Sequence, residues 1–158
     1  MDPEEEHGGE VVLSAAEYEA VGAALSSLPG PARGGPAPSL DHLLQRWKDL
    51  VDEVEEGYGW CAPELDNDLA CRAALARIWP LLPPRVRAIR QPELDSADER
   101  YRLATVPWPG RPEATAGWWK WRIPRRLEVE ACEERGTDWP TGWEMMPFPR
   151  PAAVEVST

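Results

Sequence analysis

The chain has 158 residues, with 28 acids against 17 bases and a formal net charge of −11. That length suits one domain with tails and is enough to bury a core. No apolar run approaches the roughly 20 residues of a membrane helix. The acidic opening MDPEEEHGGE has no apolar signal-peptide region, and the overall charge opposes nonspecific binding to duplex nucleic acid.

The charge is uneven. Residues 1–60 hold 13 acids and 3 bases, whereas 61–158 are nearly balanced. An acidic face of this kind favours basic partners. Fifteen of the bases are Arg, as expected from a GC-rich bacterial coding bias. Cys61, Cys71 and Cys132 include no CxxC pair. An odd number of thiols without a signal peptide points to a reducing, cytoplasmic setting.

Residues 1–13 carry five acids and little apolar content, and are expected to be disordered. Ser14 and Glu17 form a capping-box pattern that opens a helix over 14–28, with Tyr18, Val21, Leu25 and Leu28 on one face. Residues 29–38 are rich in Pro and Gly and read as a linker. A single helical domain with a C-terminal arm follows, over 39–148. Its main helix starts at the Ser39 cap and carries the stripe Leu40, Leu43, Leu44, Trp47, Leu50, Val51, Val54 and Tyr58. Asp49, Asp52, Glu53 and Glu56 fall opposite that stripe, and Gly57 and Gly59 end the helix.

Pro63 opens a helix running through Leu65, Leu69, Ala73, Ala76 and Trp79. A short helix over 84–90 is expected to break at Pro92, and a further helix is expected over 93–105. Trp119, Trp121 and Ile123 alternate with Lys120 and Arg122, the period of a strand, and Pro124 confines it to an edge. Residues 125–134 suggest one more short helix. Trp139, Trp143, Met145, Met146 and Phe148 are too apolar for a free tail, and 149–158 read as flexible. The expected fold is mostly α: a small antiparallel bundle of four or five helices, with an irregular Pro/Trp-rich C-terminal arm packed over it.

Chemistry-bearing motifs are few. His42 stands without a nucleophile elbow. The cysteines lack zinc-ligand spacing, and Asp66-Asn67-Asp68 lacks the Gly and Glu of a calcium loop. No catalytic residue, metal or cofactor is assigned. Asp52-Glu53-x-x-Glu56 resembles the first half of the acidic signature of all-helical nucleotide pyrophosphohydrolases of the MazG type. That resemblance implies Mg²⁺ held by helix carboxylates, but the family's later Glu-x-x-Asp has no counterpart here.

Nine tryptophans are several times typical usage. Trp118, Trp119, Trp121 and Arg122 head a Trp/Arg-rich stretch. Three roles fit it: a stacking surface for peptides or single-stranded nucleic acid, a protein hot spot, or closure of the core. The leading expectation is a non-enzymatic acidic protein that contacts a basic protein partner, in the manner of an immunity protein or antitoxin seated on a nuclease cleft. Asp49, Asp52, Glu53, Glu56, Trp118, Trp119, Trp121 and Arg122 are the candidate contacts. The alternatives are a Mg²⁺-dependent nucleotide hydrolase and a peptide or single-stranded nucleic acid module.

Overall fold

Helix α2 (Leu40–Glu56) is the element on which the others assemble. The Ser39 hydroxyl caps it by accepting the His42 N–H. All eight residues of its apolar stripe are buried. The computed structural model describes residues 12–29, 38–112 and 116–158, so most of the acidic lead and the Pro/Gly linker lie outside the described residues. Within them the chain is mostly helical: α1 (Ala15–Ser26), α2, α3 (Ala62–Asp68), α4 (Ala70–Ile78) and α5 (Pro84–Ala104). Strands β1 (Thr105–Pro107), β2 (Arg122–Pro124), β3 (Arg126–Glu128) and β4 (Glu155–Ser157) add two small sheets. No described helix is long and apolar enough to cross a membrane.

Helix α1 begins with the capping box expected at Ser14 and Glu17. It buries only Ala24 and Leu25. Between α1, α2 and α5 it leaves a cavity of about 590 Å³, walled by Leu13, Tyr18, Val21, Leu40, Val86 and Ile89. Leu13 and Tyr18, which flank the capping box, thus line a gap. The helix expected from Pro63 to Trp79 is divided at Leu69 into α3 and α4.

Helix α5 corrects the expected break at Pro92. It runs unbroken over 21 residues with Pro92 inside. Pro92 forfeits one helical hydrogen bond, but its own ring is exposed, and Leu94, Ala97 and Tyr101 beyond it are buried. Apolar burial of about 1.5–3 kcal/mol for each large side chain outweighs the lost bond. Both α4 and α5 pack on α2.

A buried ion pair ties these three helices together. The Arg72 guanidinium donates to both Asp98 oxygens, at 2.8 and 2.9 Å, and the Trp47 indole N–H donates to Asp98 Oδ1 at 3.0 Å. Arg72 also lies 4.4 Å over the Trp119 ring. Both charged residues are less than a tenth exposed, so each satisfies the other where water cannot.

Beyond α5 the chain becomes irregular. β1 and β2 pair antiparallel in the register Val106↔Ile123, with Pro124 opposite Thr105. Trp118–Trp121 form a 3-10 turn instead of a strand, so only Arg122–Pro124 of the alternating segment is extended. The helix expected over 125–134 is replaced by β3 and a 3-10 turn at Ala131–Glu133. Here Tyr58 N–H donates to Arg126 O and Glu128 N–H donates to Tyr58 O, both at 2.9 Å. β4 pairs parallel to β3 on its other side, with Leu127↔Val156. The segment 149–158, expected to be flexible, therefore supplies a strand and the buried Val154. These bonds join residues roughly 30 to 70 positions apart, which no local pattern announces.

Gly57 makes possible the turn from the end of α2 into Tyr58, which bridges to β3. Its φ of 132° is one that L side chains rarely adopt, and a Cβ there would meet Glu128 Cγ at 2.7 Å.

Candidate acidic docking surface

The polar face of α2 divides into two flanks. Toward α5, Asp52 and Glu55 both receive Arg100. Asp41 receives Arg90 at 2.6 Å, and Lys48 reaches Glu93. The chain's own cations thus neutralise this flank.

Toward α3 the arrangement reverses. Among the described residues, Asp49 accepts a side-chain hydrogen bond from the Gln45 amide alone, at 2.8 Å. Glu53, Glu56, Glu64, Asp66 and Asp68 have no ion pair among the described residues, nor does Arg46, which borders Asp49, Glu53 and Asp68. The Tyr58 hydroxyl donates to Asp68 Oδ2 at 2.7 Å. Burial pushes the Glu53 carboxyl above the ordinary carboxylate range, and the neighbouring Asp68 charge pushes it further, against a hydrogen bond from Trp60. The Tyr58 hydroxyl is likewise raised, first by burial and then by Asp68, Glu53 and Glu64. This is concentrated negative charge that Arg46 borders without forming an ion pair among the described residues.

Trp60 adjoins this flank through its hydrogen bond to Glu53. It is 62% exposed, and the other eight tryptophans are buried or half-buried. Its loop is fixed from behind. The Trp143 indole N–H donates to Trp60 O at 3.1 Å, and Ala62 N–H donates to Gly142 O at 3.0 Å. Tyr58 and Trp143 meet edge to face at 6.3 Å. On its far side Trp60 borders a cleft of about 780 Å³ that also contains Glu128, Glu130 and Glu133. A rigidly backed indole between two groups of carboxylates has the composition of a protein hot spot for a cationic partner.

The structure distributes the sequence candidates as follows. Asp49, Glu53 and Glu56 share the α3 flank, whereas Asp52 turns to Arg100. The three carboxylates of the pyrophosphohydrolase-like signature therefore do not converge. Among the described residues no group of three or more His, Cys, Asp and Glu is placed to hold a metal ion. Trp118, Trp119 and Arg122 are buried and Trp121 is half-buried. Arg122 donates to Thr105 Oγ1 at 2.7 Å and to the Arg102 and Thr105 carbonyls. Trp121 is covered by Arg111 at 3.3 Å and meets Trp108 edge to face. This segment closes the interior around α5. Cys71 is buried, and burial raises its thiol to about 11.

Trp60, Glu64 and Asp68 were missed by sequence reasoning. The available signal was an aromatic residue beyond the terminating Gly57 and Gly59, belonging to no apolar stripe. No family model matches the chain, and neither a curated protein nor a solved structure does.

Proposed function

We propose that this protein is a non-enzymatic, cytoplasmic binding protein that presents the α3 flank of α2 to a basic protein partner, in the manner of an immunity protein or antitoxin. The observation that carries this reading is the contrast between the flanks. The chain pairs cations with Asp41, Asp52, Glu55 and Glu93, whereas Asp49, Glu53, Glu56, Glu64, Asp66 and Asp68 make no ion pair among the described residues, although Arg46 borders three of them. Unpaired charge costs self-repulsion, and a cationic surface recovers it while raising the association rate. Trp60 supplies the apolar anchor that charge alone lacks. We read the helices as a small antiparallel bundle, with the Pro/Trp-rich C-terminal segment as an arm whose Trp143 and Gly142 hold the Trp60 loop in place.

The test is affinity capture by three forms of the chain, all checked for native circular dichroism. The unmodified chain should retain a protein of high isoelectric point. Asp49→Lys/Glu53→Lys/Glu56→Lys should lose it at least tenfold, about 1.4 kcal/mol or more of affinity. Asp52→Lys/Glu55→Lys, on the flank paired with Arg100, should lose much less. Equal capture by the first two forms would refute the assignment.

A further inference from the structure

The cavity of about 590 Å³ between α1, α2 and α5 has aliphatic walls from all three helices: Val21 and Leu25 from α1, Leu40 from α2, and Val86 and Ile89 from α5. Native interiors leave few voids larger than a water molecule. An apolar space of this size between packed helices has the dimensions and lining of a small-molecule pocket. Tyr18 and Gly22 line it and are exposed, which places its mouth along that edge of α1.

Helix α1 is fastened as the outer wall. Arg85, at the start of α5, donates to Glu17 and to the Val12 carbonyl. One turn beyond Tyr18, position 22 is a glycine in the interior of α1. Glycine in a helix interior costs about 1 kcal/mol against alanine. A Cβ at Gly22 would meet no heavy atom within 4 Å, so crowding does not require the glycine. A larger side chain there would stand in the mouth of the cavity.

The polar groups on the wall specify the charge of the occupant. Ser39 Oγ accepts the His42 N–H. Arg90 donates to Asp41 at 2.6 Å and to Glu93 at 3.0 Å, and Lys48 reaches Glu93. Two acids and two bases thus cancel, and Ser39, Asp41, Arg90 and Glu93 are each bonded within the chain. A charged headgroup would lose water here without meeting an unpaired charge of opposite sign. An uncharged apolar molecule escapes that cost and gains by covering aliphatic surface.

We infer that this cavity binds an uncharged, apolar small molecule, with α1 as its outer wall and Gly22 keeping its mouth open. The site lies on the α5 side of α2 and shares no residue with the α3 flank, so it stands independently of the basic-partner reading.

The probe is N-phenyl-1-naphthylamine, an uncharged apolar fluorophore, titrated against the full chain. It should bind one-to-one, brighten, and show nuclear Overhauser contacts to the Val21, Val86 and Ile89 methyl groups. 1-Octanol should displace it at a concentration at least tenfold lower than octanoate or octylammonium, which share its chain length but carry opposite charges. Gly22→Leu should weaken the probe at least tenfold and leave the thermal midpoint equal or higher, because leucine is the better helix former. Misfolding therefore cannot mimic the loss. Ala23→Leu, on the same helix but off the cavity wall, should change the affinity less than about twofold. Absence of binding, equal affinity for Gly22→Leu, methyl contacts elsewhere, or a preference for either ion would each overturn the inference. Probe affinity that falls as protein concentration rises would make a second copy of the chain the occupant, and would overturn it too.

Discussion

Acids on the α5 side of α2 and acids on its α3 side are chemically alike, yet the chain treats them in opposite ways. Asp41, Asp52 and Glu55 each touch an arginine, and Asp98, deeper on the same side, is held by Arg72 and Trp47. Among the described residues, the Glu53 and Asp68 carboxylates sit together with Tyr58 and Trp60 as their side-chain hydrogen-bond donors. The first side uses charge to join helices. The second keeps charge in reserve, and burial of Glu53 makes that reserve costly. The difference teaches that net charge alone does not distinguish one acidic surface from another; what distinguishes them is whether the chain's own bases pair with the acids.

The contrast yields predictions of opposite sign. The largest effect belongs to the joined side. Arg72→Ala leaves Asp98 charged in the interior and should cost about 3–5 kcal/mol, measured as a lowered urea midpoint. A loss below about 1 kcal/mol would mean that Asp98 finds other partners and that the buried pair does not join the helices.

A smaller effect, opposite in sign, belongs to the reserve side. Glu53→Gln should stabilise the protein by about 0.5 kcal/mol at pH 7. The Glu53 pKa is raised in the folded state, so the folded form holds more protons than the unfolded chain across the window between the two pKa values. Stability from this group therefore falls as pH rises through that window, and the advantage of Gln should vanish below it. Glu93 behaves conversely. Its burial favours the neutral acid, but hydrogen bonds from Arg90 and Lys48 prevail and lower its pKa. Its contribution is present above the unfolded pKa and is lost as pH falls through the folded one. Paired thermal melts between pH 3 and 7 separate the two signs.

The smallest effect is expected at the exposed bridge. Arg100→Ala should cost less than about 1 kcal/mol, and high salt should shrink the difference. A large, salt-insensitive loss would show that the paired flank is more than a surface ion pair.

Much of the helical framework was legible because local rules sufficed. The Ser14–Glu17 capping box, the Ser39 cap and the buried stripe from Leu40 to Tyr58 are patterns within single helices. The break expected at Pro92 did not occur, because packing of Leu94, Ala97 and Tyr101 is a tertiary gain absent from a local rule. The candidate surface was only half legible. Asp49, Glu53 and Glu56 follow from helical phase, but phase also groups Asp52 with them, and only the position of Arg100 separates it. Trp118 and Trp119 carry the same composition whether they bind a partner or close a core. Their burial around Arg72 and Arg102 decides that.

By itself, the sequence determined where α1, α2 and α5 start, which face of α2 is apolar and how strongly acidic the chain is, because periodicity, capping and charge reside in neighbouring residues. Tertiary structure alone decided which carboxylates were neutralised, which tryptophan reached solvent and that residues 126–128 would be a strand. Each of those outcomes depends on a partner far away in the chain: Arg100 for Asp52, Trp143 for the Trp60 loop, and Tyr58 and Val156 for Leu127.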